Sequence, residues 1–142
     1  MSLEYLLDTN VVSEALRPRP NEEVLGRLEA EDGKMAIPAV VWHELLFGMM
    51  RLPDSKRRSM VQAFLVDLVE PVFPVLPYDD RAGAWHAAQR AVLAGRGMTP
   101  PFSDGQIAAV AAVNDLVLVT WNLDDFEAFE GLRVECWHRG LV

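Results

Sequence analysis

The sequence contains a single cysteine, Cys136, among its 142 residues. These residues therefore cannot form an intrachain disulfide or a cysteine-based zinc site, and a reducing compartment is expected. No apolar run approaches the roughly 20 residues that a membrane-spanning helix needs. The N-terminus also lacks the basic and apolar segments of a signal peptide. We therefore expect a cytoplasmic protein that does not interact with membranes.

Positive charge is also scarce. The chain has 13 Lys and Arg residues against 21 Asp and Glu residues, a formal net charge of −8. Taken alone, this balance argues against a surface that binds the phosphates of a nucleic acid. Apolar residues make up 51% of the chain, which excludes a disordered or fibrous protein. The length predicts one domain, residues 1–142, with a sizeable core.

Several common catalytic motifs are missing from the sequence. It has no Gly-x-Ser-x-Gly nucleophile elbow, no phosphate-binding loop and no dinucleotide-binding glycine pattern. His43-Glu44 is not followed by a second histidine four positions on, so the zinc-protease motif is absent as well. Any active site must therefore be built from other residues.

Short apolar runs alternate with helical patterns along the chain. The predicted strands are 5–7, 34–37, 116–119 and 132–137, with a further edge strand between Pro71 and Pro77. The predicted helices cover 11–16, 22–30, 38–50, 54–68, 79–94 and a segment that opens at 103. This alternation predicts an α/β fold with a mostly parallel central sheet and helices on both faces.

Local patterns predict where the helices begin and which sides they bury. Capping residues are expected at Asn21, Asp54 and Asp79, and Ser103 with Gln106 forms a capping-box pattern. The predicted core-facing stripes are Val61, Phe64, Leu65 and Leu68 in one helix, and Ala82, Trp85, Ala88 or Gln89, and Val92 in the next.

Four polar residues occupy places that a parallel sheet would bring together. Asp8 ends the first strand, Glu44 interrupts an otherwise apolar helix, Asp104 opens another helix, and Asn122 follows the strand at 116–119. The carboxyl ends of neighbouring strands form the usual ligand crevice of an open α/β sheet. Clustered carboxylates repel unless a cation neutralises them, and hard divalent cations prefer oxygen ligands. The chemistry predicted is metal-assisted phosphodiester hydrolysis.

Each carboxylate also has a simpler structural explanation. Asp8 can cap a helix, Asp104 can complement a helix dipole, and Glu44 can pair with a buried basic residue. Asp124 and Asp125 are typical of a turn, and Asp125 is the better candidate to approach the site.

Taken together, these residues resemble those of the PIN-domain ribonucleases, specifically VapC-type toxins of type II toxin–antitoxin systems and their FitB-like branch. The resemblance rests on 6–13 (Leu-Leu-Asp-Thr-Asn-Val-Val-Ser), Glu44 in its apolar helix, 103–109 (Ser-Asp-Gly-Gln-Ile-Ala-Ala), 118–122 (Leu-Val-Thr-Trp-Asn) and Asp125-Phe126. No single motif is specific, but their order and spacing in a chain of this length are. The similarity covers essentially the whole chain.

The resemblance implies a Rossmann-like PIN fold and a catalytic Mg²⁺ or Mn²⁺ site formed by Asp8, Glu44 and Asp104. Asn122 stands at the family's fourth acidic position, which leaves fewer direct charges for a second metal ion. Trp121 stands where relatives often have arginine. The implied supporting polar residues are Thr9, Asn10, Thr120 and Asp125.

The resemblance also implies the partners. It implies a homodimer that cleaves RNA and is neutralised by a small VapB- or FitA-like antitoxin, and that meets operator DNA only through this antitoxin. A basic antitoxin tail would be attracted to an acidic site, which makes the net charge understandable. Candidates for contacts with RNA are Lys56, Arg57, Arg58, Arg81 and Arg96.

Two other functions compete with the ribonuclease. The main alternative is a non-catalytic PIN-like subunit that complexes a DNA-binding, antitoxin-type regulator. A haloacid-dehalogenase-like phosphatase is disfavoured, because its nucleophile loop needs a second aspartate two residues after the first, and Asn10 stands there.

Overall fold

The computed structural model describes residues 2–138. Its strands are β1 (Tyr5–Leu7), β2 (Met35–Pro38), β3 (Val75–Leu76), β4 (Val117–Val119) and β5 (Val134–Glu135). They form one sheet in the order β3-β2-β1-β4-β5, and every neighbouring pair is parallel. The structure therefore confirms the predicted α/β fold and the short edge strand among the prolines.

Helices connect these strands. They are α1 (Thr9–Val12), α2 (Glu22–Ala30), α3 (Ala39–Met50), α4 (Lys56–Phe64), α5 (Asp80–Gly95), α6 (Phe102–Val113) and α7 (Leu123–Phe126). A 3₁₀ turn, Ser13–Leu16, continues α1, and a π-helical turn, Leu65–Val69, continues α4. Between residues 2 and 138, no helix has the length and hydrophobicity needed to cross a membrane.

The neighbouring strands β1 and β4 bring together the polar residues that follow them. Leu6 and Leu7 in β1 and Leu118 in β4 are fully buried, as expected for strands covered on both faces. The parallel register pairs Leu7 with Val119. The residues that follow, Asp8 and Thr120, therefore leave the sheet side by side at its carboxyl edge.

Two of the predicted helix caps are confirmed. The side chain of Asn21 accepts a hydrogen bond from the N–H of Val24 at 3.2 Å, and Asp79 accepts one from the N–H of Ala82 at 3.0 Å. Both bonds satisfy a donor that the helix cannot satisfy itself.

The other two predicted caps are wrong. Ser55 rather than Asp54 caps α4, because its hydroxyl accepts the N–H of Arg58 at 3.2 Å. Ser103 does not form a capping box, because α6 starts one residue earlier, directly after Pro101. The carbonyl of Pro101 accepts the N–H of Asp104 at 3.1 Å. This places Asp104 inside the first turn of α6.

The two predicted core stripes are each partly wrong. After α4 the buried residues are Leu65, as predicted, and Val69, whereas Leu68 is 58% exposed, because the wider π-helical turn shifts the register by one residue. In α5 the buried residues are Ala82, His86 and Leu93, whereas Val92 is 48% exposed. The stripe was misplaced because a buried histidine was not expected on the core side.

Candidate active site at the carboxyl edge of the sheet

Asp8 is held at the centre of the carboxyl edge by both of the central strands. It is 7% exposed and caps α1 by accepting the N–H of Thr9 at 2.8 Å. Its other carboxylate oxygen accepts the hydroxyl of Thr120, which is fully buried, at 2.8 Å. The cap predicted as the simpler explanation is therefore real. The second carboxylate oxygen of Asp8, however, is oriented by Thr120, which follows β4.

Asn10 connects the loops that follow β1 and β4. Its side-chain N–H₂ lies 3.4 Å from a carboxylate oxygen of Asp8, and its carbonyl accepts the N–H of Trp121 at 3.0 Å. Thr120 accepts the N–H of Asn122 at 3.1 Å. These bonds fix the backbone beside Asp8 before any ligand arrives.

Glu44 approaches the site from α3. It is half-buried, and its carboxylate accepts the hydroxyl of Thr9, next to Asp8. It lines a groove of about 250 Å³ together with mostly apolar side chains of α3 and α4 and with Arg57. The alternative explanation, that Glu44 forms an ion pair with a buried basic residue, is not supported. Among residues 2–138 no basic group lies within 4.0 Å of Asp8, Glu44 or Asp104.

Asp104 and Asp125 form the other side of the site. Asp104 is half-buried in the first turn of α6, and Asp125 is an exposed residue of α7. Both line a cavity of about 340 Å³. We call Asp8, Glu44, Asp104 and Asp125 the acidic site.

The members of the acidic site repel one another. Burial, followed by the charges of Asp125, Asp8 and Glu44, raises the pKa of Asp104 from 3.8 to about 6. Burial also raises the pKa of Asp8, an effect that the charges of Glu44 and Asp125 increase. The hydrogen bonds from Thr120 and Thr9 act in the opposite direction. The charges of these four carboxylates therefore act on one another at the carboxyl edge of the sheet, and the metal-binding role predicted for Asp8, Glu44 and Asp104 stays a prediction.

The donor set fits a hard divalent cation. All of its candidate ligands are oxygens, and their mutual repulsion would be relieved by positive charge. As the side chains stand, residues 2–138 contain no group of three or more His, Cys, Asp or Glu side chains that could hold a metal ion. The ligand types and the charge of the acidic site therefore suit a divalent cation, but the side chains of residues 2–138 are not arranged in a complete coordination sphere.

Asn122 follows β4, and its backbone N–H donates to the hydroxyl of Thr120, which in turn binds Asp8. Asn122 is exposed at the N-terminus of α7, and its side chain makes no capping bond to that helix. Asp125, one helical turn later, contributes to the field at Asp8 and Asp104. The catalytic role predicted for Asn122 stays a prediction.

Most of the predicted basic contacts are already engaged within the protein. Arg57 donates to the carbonyl of Leu16 and Arg58 to that of Leu52. Arg81 and Arg96 form surface ion pairs with Asp79 and Glu130, respectively. Of these side chains, Arg57 is the one that lines the groove beside Glu44.

Sequence reasoning missed the contact that supports Asp104 from behind. His86 of α5 is buried directly against Gly105, and its Nδ1 lies 2.8 Å from the hydroxyl of Tyr78. A Cβ at position 105 would lie only 2.0 Å from Nε2 of His86. The only signal in the sequence was a glycine inside a helical pattern, which often indicates close packing.

The pKa of Asp104 predicts how stability depends on pH in the metal-free protein. Because the pKa of Asp104 is about 6 in the folded state and 3.8 in a free aspartate side chain, the folded state binds more protons between these limits. The free energy of unfolding should therefore fall as the pH rises from about 4 to about 6. One pKa unit corresponds to about 1.4 kcal/mol, so the loss is at most about 3 kcal/mol, and partial exposure reduces it.

Chemical denaturation in a chelator at several pH values tests this dependence. Asp104→Asn should remove most of the wild-type decrease, leaving the smaller part due to Asp8. Asp79→Asn is the control. The hydrogen bond from the backbone N–H of Ala82, and to a lesser extent the charge of Arg81, lowers the pKa of Asp79, so Asp79 makes the free energy of unfolding rise with pH rather than fall. An unchanged pH dependence in Asp104→Asn would contradict the assignment.

The chain is similar to known proteins over most of its length. The family model of the PIN domain matches residues 5–132. Toxin FitB of Neisseria gonorrhoeae is 33% identical over 138 residues, which are 94% of this chain and 98% of that protein. The tRNA(fMet)-specific endonuclease VapC of Salmonella typhimurium is 32% identical over 136 residues, which are 95% and 98% of the two chains.

The fold is similar to solved structures as well. In the structure of FitAB bound to an IR36 DNA fragment, the matching chain is 31% identical, with a TM-score of 0.85. The match covers 94% of this chain and 96% of that one. The similarity therefore extends over the sheet, the helices and the loops that form the acidic site.

Proposed function

The chain belongs to the PIN domain family, and we propose that it is the ribonuclease toxin of a toxin–antitoxin pair. In this proposal it hydrolyses RNA phosphodiester bonds with the help of Mg²⁺ or Mn²⁺, and a cognate antitoxin neutralises it. The observation that carries the proposal is the convergence of Asp8, Glu44 and Asp104 at the carboxyl edge of the sheet. The full-length similarity to relatives named as a toxin and as endonucleases supports it.

We propose that Asp8, Glu44 and Asp104 hold the metal ion, with Asp125 acting on it from the rim. Bound there, a divalent ion would polarise a phosphoryl oxygen and lower the pKa of the attacking water. The protein's own part is to orient the carboxylates. The hydroxyl of Thr120 aims Asp8, that of Thr9 aims Glu44, and Asn10 fixes the neighbouring loop.

The proposed antitoxin acts through charge. The net charge of −8 and the unpaired carboxylates of the acidic site attract a basic tail in a metal-free or partly loaded protein. An antitoxin arginine between these carboxylates would neutralise them and displace the metal ion. FitAB has been solved bound to an IR36 DNA fragment, and we propose that this chain likewise meets operator DNA only through its antitoxin.

The test is cleavage by the purified protein, free of its antitoxin. Single-stranded RNA and transfer RNA, the latter including initiator tRNA, should be cleaved in Mg²⁺ or Mn²⁺. A chelator should stop the reaction and excess metal should restore it. Adding the purified antitoxin should also stop it.

The same experiment separates the main alternative. A non-catalytic subunit would bind the antitoxin normally but leave every RNA intact in both metals. That result, obtained with folded protein, would replace the nuclease with the binding function. Cleavage that persists in the chelator would instead remove the metal from the proposal.

A further inference from the structure

Trp121 is an exposed aromatic side chain beside the acidic site. It is 40% exposed and directly follows Thr120, whose hydroxyl binds Asp8. Its backbone N–H donates to Asn10 at 3.0 Å, so its position is tied to the loop after β1. The indole is therefore exposed to solvent, and its backbone is linked through Asn10 and Thr120 to Asp8, one of the proposed metal ligands.

A buried layer beneath the indole fixes its orientation. The rings of Trp121 and His138 are stacked, with their centroids 4.7 Å apart and their planes 9° from parallel. His138 is 3% exposed, and its Nε2 lies 2.9 Å from the carboxylate of Glu14, which is also buried. The N–H of Asn21 donates to the same carboxylate at 2.9 Å. Trp121 is therefore a supported platform rather than a loose surface side chain.

Arg17 adds a cation to this platform. Its guanidinium carbon lies over the indole, 5.5 Å from the ring centroid, and it also pairs with Glu14 at 3.3 Å. The side chain of Arg17 is half exposed, so a base can take its place over the ring while the guanidinium contacts the same base. Aromatic and guanidinium planes are the groups on which proteins stack the splayed bases of single-stranded RNA.

We propose that Trp121, with Arg17 beside it, binds one unpaired base of the RNA substrate next to the cleaved bond. This inference rests on the proposed ribonuclease function and adds a substrate-binding residue to it. Stacking contributes affinity without positive charge. That suits a chain with a net charge of −8, four of whose five candidate basic side chains are engaged elsewhere.

The experiment compares Trp121→Leu with Trp121→Phe. The leucine removes the aromatic face and the phenylalanine keeps a smaller one. For an RNA oligonucleotide that the wild type cleaves, Trp121→Leu should raise KM by about 5- to 150-fold, the range of base–aromatic stacking, with a smaller change in kcat. Trp121→Phe should recover most of the loss, which separates stacking from damage to the fold.

A matched control exists on α3. Phe47 is 53% exposed and carries Arg51 over its ring at 5.3 Å, an equivalent arrangement away from Trp121. Phe47→Leu should leave KM unchanged. If Phe47→Leu and Trp121→Leu raise KM equally, the effect is general and the proposal is wrong.

Removing one base at a time from the oligonucleotide provides an independent readout. Binding is measured by fluorescence anisotropy in an Asp8→Asn background, where the RNA stays intact. An abasic site at one position should weaken binding to the Asp8→Asn protein. The same abasic site should not change the affinity of the protein that also carries Trp121→Leu. If every abasic position costs the two proteins equally, or if Trp121→Leu weakens only antitoxin binding, no base stacks on Trp121. Failure of the wild type to cleave any RNA would instead overturn the ribonuclease function itself.

Discussion

Replacing Asp8 with asparagine is expected to abolish RNA cleavage and growth inhibition without unfolding the protein. Asp8 is the most buried carboxylate of the acidic site, and its oxygens are oriented by Thr9 and Thr120. An amide cannot supply the negative charge that a divalent ion requires from this position. We expect cleavage to fall by at least about 100-fold, the scale on which a single catalytic electrostatic contact acts.

The stability of this variant should distinguish a catalytic role from a structural one. Burial raises the pKa of Asp8, so at neutral pH its ionised form is destabilised in the metal-free fold. Asparagine removes that cost and still caps α1, because asparagine and aspartate are similar N-caps. The free energy of unfolding in a chelator should therefore remain within about 1 kcal/mol of the wild-type value, or exceed it.

Alanine at the same position should behave differently. Asp8→Ala removes the cap of α1 and leaves the buried hydroxyl of Thr120 without this acceptor, so unfolding should become easier by about 1–3 kcal/mol. Asp32→Asn, at an exposed aspartate after α2, is the control for loss of charge alone. Cleavage and chemical denaturation are measured on all three variants. Full activity of Asp8→Asn would contradict the metal-site proposal.

The central strands were predictable because their residues are apolar on both faces. Leu6, Leu7 and Leu118 admit no other placement in a chain of this size, and the polar residues that follow mark the strand ends. The caps at Asn21 and Asp79 were predictable for a similar reason, since their side chains satisfy backbone donors locally. Interactions set by neighbouring residues can be derived without knowing the fold.

The errors arose where tertiary packing decides. Leu68 lost its core position to Val69 because of a π-helical turn that no spacing rule foresees. Ser103 resembled a cap, yet the helix is capped two residues earlier, at Pro101. Local patterns allowed both readings in each case, and the packing of the helices selected one.

The acidic site shows the same division. Asp8, Glu44 and Asp104 were identified from their apolar surroundings, and the structure brings them into one electrostatic field. Whether the side chain of Asn122 or that of Asp125 takes part in the chemistry stays a prediction, because their positions depend on the direction of the short helix α7. Sequence spacing does not determine that direction.

The packing of His86 against Gly105 leads to the second prediction, in which adding one methyl group at Gly105 disrupts both stability and activity. An alanine Cβ would lie 2.0 Å from Nε2 and 2.6 Å from Cδ2 of His86. The histidine cannot easily move away, because Tyr78 binds its Nδ1 at 2.8 Å and the ring of Phe102 packs on it, with centroids 4.8 Å apart. We expect Gly105→Ala to lower the free energy of unfolding by about 1–3 kcal/mol, the usual range for overpacking.

Activity should fall as well, because Asp104 is the neighbouring residue in the same helical turn. A displacement of about 1 Å in a catalytic group can reduce the rate by about 100-fold. Gly26→Ala in α2 is the matched control, since a Cβ there has nothing within 4 Å. As an exposed helical position, it should gain about 0.5–1 kcal/mol from the better helix propensity of alanine.

A double variant separates the steric clash from any other effect of alanine. In a His86→Ala background the added methyl group enters the space that the ring has left, so Gly105→Ala should cost little or nothing and cleavage should not fall further. The difference between the two backgrounds measures the coupling between residues 86 and 105. If Gly105→Ala is equally harmful with and without His86, the contact with His86 is not its cause, and the proposed positioning of Asp104 by α5 is wrong. If the single variant is as stable and active as the wild type, the His86 ring yields at no cost, and the support it gives to α6 is too weak to matter for catalysis.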